Sequence, residues 1–112
     1  MSGFSFADQV LDLEACRRSL GDISCGAYAS FEGWVRDHND GREVSALEYE
    51  AYESLGLKEG QRIIAEALER FEIEHAACVH RIGALALGEL AVWVGVSAHH
   101  RDAAFSACRY II

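Results

Sequence analysis

Residues able to hold a small anion stand at three places in the chain. Arg36 closes one alternating run, Arg81 closes another, and His99-His100-Arg101 follows a third. Arginine suits a phosphate or carboxylate because its planar donor fork pairs two oxygens and keeps its charge. The third group follows Leu90-Ala91-Val92-Trp93-Val94-Gly95-Val96, a stretch without a polar side chain, as in a strand buried on both faces. It also opens the first turn of a predicted helix, whose free N–H groups attract anions. The chemistry expected there is binding of a phosphate or carboxylate, with a histidine available for proton exchange. His99 and His100 are adjacent, so only one of them faces a pocket. The ordinary alternatives are solvated or locally paired arginines and a surface imidazole. If neighbouring strands bring the ends together, two or three of the arginines converge on one site. Trp34 and Trp93 read as packing residues, with Trp34 on the more polar face of its run and placed to line a site.

Other chemistries lack their patterns. There is no glycine-rich phosphate loop, no G-x-S-x-G and no cysteine–histidine nucleophile arrangement. His80, His99 and His100 do not fall at a helical H-x-x-x-H or H-E-x-x-H spacing, so no metal is expected. The four cysteines, Cys16, Cys25, Cys78 and Cys108, include no C-x-x-C pair. Cys78 and Cys108 sit in apolar runs and read as core thiols of a protein in a reducing cytosol. A net charge of −8, from 18 acidic and 10 basic residues, argues against general nucleic-acid binding while leaving room for a local basic pocket. No apolar segment reaches the roughly 18 residues of a membrane span, and the start shows no secretory pattern, so a cytoplasmic protein is expected.

The 112 residues suit a single domain, 1–112, with one core. Phe4 to Val10 reads as a short edge strand, and Asp8 or Asp12 caps a short helix running to Leu20. From Cys25 to Arg36 the period is two, with Ala27, Ala29, Phe31, Gly33 and Val35 on one face. Asp40-Gly41 supplies a turn, and Val44 to Tyr52 is expected to return as the hairpin partner of that strand. Leu57 to Phe71 has the apolar stripe of a helix, Leu57, Gly60, Ile63, Ile64, Ala67, Leu68 and Phe71, with Glu66 and Arg70 as a surface pair. Glu74 to Arg81 is a further strand, Gly83 and Gly88 bracket a short connection, and a helix follows Arg101. This order predicts an α+β fold with a largely antiparallel sheet. The last helix stops at Ile111-Ile112 without a polar or glycine cap, which predicts a C-terminal portion beyond Ile112.

Five segments in series carry a resemblance. They are G-A-x-x-x-F-x-G-x-V-R-x-x-N from Gly26 to Asn39, L-x-Y-E-x-Y from Leu47 to Tyr52, H-R-I-G from His80 to Gly83, G-E-x-A-V-x-V-x-V from Gly88 to Val96, and H-R-x-x-A-F from His100 to Phe105. Together, over about residues 25 to 112, they resemble the large, catalytic subunit of molybdopterin synthase. The resemblance implies an α/β hammerhead-like fold with an additional small antiparallel sheet. It implies a sulfurtransferase that converts cyclic pyranopterin monophosphate to molybdopterin by adding two sulfurs, with no resident cofactor. It implies a small ubiquitin-like partner whose C-terminal Gly-Gly ends as a thiocarboxylate, and a homodimer at the centre of a heterotetramer. Carried over residue by residue, Trp34, Val35 and Arg36 match the pterin-phosphate pocket, and His100 and Arg101 match the substrate-binding His-Arg pair. Arg36, His100 and Arg101 are the catalytic candidates. The family's catalytic lysines lie after the last helix. Lys58, the only lysine here, matches neither, so those lysines are expected beyond Ile112. A non-catalytic protein-binding module with the same fold is the alternative reading, and a metal-dependent hydrolase using His99 and His100 a third.

Overall fold

The computed structural model describes residues 2–39, 42–43, 46–49 and 53–112. The elements run β1 (Gly3–Ala7), α1 (Leu13–Ser19), β2 (Ala27–Trp34), β3 (His38–Asn39), β4 (Arg42–Glu43), β5 (Ala46–Tyr49), α2 (Glu53–Arg70), β6 (His75–Arg81), β7 (Gly83–Ala86), β8 (Leu90–Ala98) and α3 (Arg101–Ile111). The main sheet has the order β1-β6-β8-β2, and β3-β4 and β5-β7 form two small antiparallel sheets. Within the main sheet only β1 and β6 run parallel. The architecture is α+β, as expected.

The polarity of β8 explains its place. Both of its side-chain sets are apolar, so it belongs in the interior of the sheet, with a layer on each face and a strand on each edge. Val94, Val96 and Ala98 turn toward α2 and α3, where they meet Ile64, Ala67, Ala104, Ala107 and Cys108. The alanines keep α3 close to β8 and β2, while α2 lies over β1 and β6. On the other face Trp93 lies flat over Gly95, where a Cβ would sit 2.4 Å from the indole ring, and beside Leu20. Its Nε1–H donates to the Tyr28 hydroxyl at 3.2 Å. Helix α1 begins as expected at Asp12, whose Oδ1 accepts the Ala15 N–H at 3.1 Å.

Two expectations change. The described part of Val44 to Tyr52 does not return as the partner of β2. That part, Ala46–Tyr49, pairs with β7, and β2 pairs along its length with β8, from Ala27↔Ala98 to Trp34↔Leu90. A local hairpin would have left β8 with an open edge, and the long-range ladder closes it. Asp40-Gly41, Val44 and residues 50–52 lie outside the described residues. Glu66 and Arg70 meet through Tyr110 on α3 rather than directly. The Tyr110 hydroxyl donates to Glu66 and accepts from Arg70 Nη1 at 3.2 Å.

Helix α2 approaches β1 through Gly56 and Gly60, one turn apart. A Cβ at Gly60 would lie 2.2 Å from the Phe4 ring. Alanine normally gains about 1 kcal/mol over glycine inside a helix, but overpacking costs about 1–3 kcal/mol. Gly60→Ala therefore destabilises, read as a lower denaturant midpoint, despite the better helix former.

Candidate functional site

The β8–α3 junction separates the two histidines. His99 turns toward the start of β6, with Nε2 3.1 Å from Glu74 Oε1. Its carbonyl accepts the Gly26 N–H at 3.3 Å, and a Cβ at Gly26 would sit 2.9 Å from that oxygen. A larger residue at Gly26 would displace the turn. His100 is the N-cap residue of α3, with extended backbone (φ −128, ψ 153) and no side-chain cap bond. Its carbonyl accepts the Ala104 N–H at 3.4 Å. His100 and Arg101 are exposed, and their side chains make no hydrogen bond or ion pair among the described residues. They border an open hollow of about 420 Å³ lined by Gly26, Ala27, His99, His100, Arg101 and Asp102. Helix N–H groups, a guanidinium and two imidazoles thus border one space, with Asp102 the one acid lining it among the described residues. The arrangement suits a small anion.

Arg36 stands two residues past β2, exposed and likewise without a partner among the described residues. Beside it Trp34 is 68% exposed, whereas Val35 is 4% exposed and packs with Leu85 and Ala91. Both backbone groups of Val35 are used. Its N–H donates to the Glu89 carbonyl at 2.9 Å, and its carbonyl accepts the Gly88 N–H at 2.7 Å. Val35 is therefore held in place by its backbone, while the side chains of Trp34 and Arg36 stay exposed.

Arg81 does not join the site. It is 5% exposed, and its Nη1 donates to Glu89 Oε1 at 2.8 Å. Nor do Arg36 and the His100-Arg101 pair meet within one chain. Strand β2 runs antiparallel to β8, so Arg36 lies beyond the end of the ladder at Trp34↔Leu90, and Arg101 beyond the end at Ala27↔Ala98. The nine residues of β8 put these ends about 26 Å apart. Arginine side chains do not span that distance. The expected convergence across the sheet is corrected by strand direction. Residues that sequence reasoning did not single out are Glu74, which ties down His99, and Glu89, which holds Arg81. The signals for Glu89 were its place in the G-E-x-A-V segment and its position as an isolated acid ahead of an apolar strand.

Cys16, Cys78 and Cys108 are poor nucleophiles. Burial, with the nearby Cys108, pushes Cys78 up to about 12, and burial raises Cys108 and Cys16 as well. Among the described residues no cluster of histidine, cysteine and carboxylate could hold a metal, and no helix is long and apolar enough to cross a membrane. Asp22, in the loop before β2, accepts from the Ser24 N–H and hydroxyl and lies 3.0 Å from His75 Nε2. The Ser24 bonds first, then His75, bring its carboxyl down to about 2. A carboxyl lowered in the folded state stabilises fully above its ordinary 3.8, and the contribution disappears as pH falls toward 2. An acid titration should show Asp22→Asn flattening the loss of stability between those limits.

Against known proteins, the family model described as MoaE protein matches residues 6–112. A molybdopterin synthase catalytic subunit from Pyrococcus abyssi is 51% identical over 101 residues, covering 90% of this chain and 68% of that protein. Many curated relatives are longer, and the chain spans 53% of the Oryza sativa catalytic subunit. The solved molybdopterin synthase from Staphylococcus aureus superposes with a TM-score of 0.90 at 32% identity, over 99% of this chain and 81% of that one. A complex of subunits 1 and 2 of the molybdopterin-converting factor from Helicobacter pylori shares the fold, with a TM-score of 0.76 at 19% identity over 95% of this chain and 72% of that one. With the order of segments, the mixed sheet and the His100-Arg101 turn all in place, the chain belongs to the MoaE protein family.

Proposed function

We propose that the chain is the large, catalytic subunit of molybdopterin synthase, a sulfurtransferase that converts cyclic pyranopterin monophosphate to molybdopterin. Each of the two sulfurs comes from the thiocarboxylated C-terminus of one small ubiquitin-like partner, so two partners are used per pterin and each is left as a carboxylate once water has supplied the oxygen. The observation that carries this reading is the unpaired cationic set, His100 and Arg101 at the start of α3 and Arg36 past β2, on a chain of net charge −8. A substrate phosphate and a thiocarboxylate repel each other, and fixed guanidinium groups offset that repulsion and the charge that develops on attack. His100 is placed to exchange a proton, and Trp34 to lie against the pterin.

The separation of Arg36 from Arg101 calls for a second copy. Strand β2 is the last of its sheet, and among the described residues no strand pairs with its outer edge. Two-fold antiparallel pairing of that edge with its copy would set Arg36 of one protomer beside the Ala27 and His100-Arg101 end of the other. The site is then completed twice, at the centre of a heterotetramer with a small subunit at each end. The free thiols accord with a cytoplasmic setting.

The test is direct. The intact protein is incubated with thiocarboxylated partner and cyclic pyranopterin monophosphate, and the pterin is weighed by mass spectrometry. Product carrying two added sulfurs is expected, and none when the partner ends in an ordinary carboxylate. Pterin recovered unchanged under both conditions would leave a non-catalytic binding module.

A further inference from the structure

We infer that Arg81 and Glu89 are a positioning pair that aims Arg36 into the anion site through the backbone of Val35, without touching substrate themselves. The inference rests on the proposed function in taking Arg36 as a substrate ligand.

The ladder between β2 and β8 slips at Gly33/Trp34, where Gly33 faces Val92 and Trp34 faces Leu90. Past that irregularity the sheet no longer fixes the chain, and the β7–β8 turn does. The Glu89 N–H donates to the Ala86 carbonyl at 3.1 Å, and Gly88 takes φ +79, the conformation that favours glycine at this place in a turn. That turn then grips Val35 from both sides, through the Glu89 carbonyl and the Gly88 N–H.

The Glu89 side chain locks the turn. Oε2 accepts the Ala86 N–H at 2.8 Å, and Oε1 accepts Arg81 Nη1 at 2.8 Å. Arg81 is itself anchored at the end of β6, where the next residue, Ile82, donates its N–H to the Ala7 carbonyl at 2.9 Å. The guanidinium is enclosed, and its Nε is buried without a partner, so Glu89 is the acceptor that holds it among the described residues. Among the described residues, three buried apolar side chains, Val35, Leu85 and Ala91, form the core beneath. The run from β6 through Arg81, Glu89 and Val35 therefore decides where the next residue, Arg36, projects. Arg81 is a buried arginine at the same end of the sheet as Arg36, and its charge is spent on Glu89 rather than on a ligand.

Removal of Arg81 would strand a carboxylate and risks the fold, so the milder variants Glu89→Gln and Arg81→Lys are made in the intact protein. Two readouts are taken: amide exchange at Val35 and Gly88 by NMR, and the KM and kcat for the pterin. In Glu89→Gln both amides should exchange about tenfold faster, and the pterin KM should rise about tenfold with a smaller fall in kcat. Arg81→Lys, which keeps the charge but loses the fork, should fall between this variant and the parent. The pair acts through Arg36, so adding Glu89→Gln to Arg36→Ala should raise KM little further. An equal rise in KM in both backgrounds would overturn the inference, as would faster exchange with an unchanged KM. Exchange needs no turnover. If the parent protein transfers no sulfur, the proposed function fails, and unchanged exchange in Glu89→Gln would separately refute the clamp.

Discussion

Arg101→Ala lowers the rate of sulfur transfer by about 10²–10³-fold, the usual cost of removing one donor from a developing anion, and Arg36→Ala does the same. Both variants should keep the far-ultraviolet spectrum and melting point of the parent. Neither guanidinium is buried or paired among the described residues, so truncation strands no partner. Surface changes of this kind stay within about 0.5 kcal/mol. Helix α3 does not depend on Arg101 for its seat, since Ala104, Ala107 and Cys108 are the residues it buries. Activity lost with the fold kept is the signature of a ligand contact. Arg101→Lys should recover only part of the rate, because an ammonium cannot pair two oxygens in one plane. Steady-state turnover beside thermal melts checks both halves.

Trp93→Ala has the opposite profile, a loss of about 3–5 kcal/mol of stability, which is a large share of the roughly 5–15 kcal/mol that holds a domain together. Trp93 is 2% exposed. Its ring fills the space above Gly95 and against Leu20, so truncation leaves a void between β8 and the segment after α1. The Tyr28 hydroxyl also loses the indole N–H. Equilibrium denaturation should place the midpoint well below that of the parent, and any activity should track the folded fraction. Trp93→Phe keeps most of the packing and should cost much less.

The fold was legible in the sequence where a single element carries its own pattern. β8 could be recognised because a strand with two apolar faces has few other uses. Most of α2 could be recognised from its stripe, although Leu57 at its start is 41% exposed. Strand pairing was not legible in the same way. An alternating run such as Ala27–Trp34 states which face is apolar, and nothing in it says which strand will lie alongside. The nearest candidate in sequence therefore lost to β8, some sixty residues away. The same gap hid the layout of the site. Arg36 and Arg101 each stand at a strand end, and whether two ends meet depends on strand direction, which only the ladder reveals. His99 and His100 both line the hollow, and what separates them is Glu74, which engages His99. Val35 is a further case. Its place in the pocket motif says nothing of its backbone, whose two hydrogen bonds to the β7–β8 turn only the structure reveals.

The central claim is a site built from Arg36 of one protomer and His100-Arg101 of another. The most direct measurement is complementation between Arg36→Ala and Arg101→Ala chains, each nearly inactive alone, after they are unfolded together, mixed in equal amounts and refolded with the small partner. Half of randomly paired dimers are mixed, and each mixed dimer regains one of its two sites, so turnover should recover to about a quarter of the parent's. A mixture no more active than the average of the two variants would contradict a shared site.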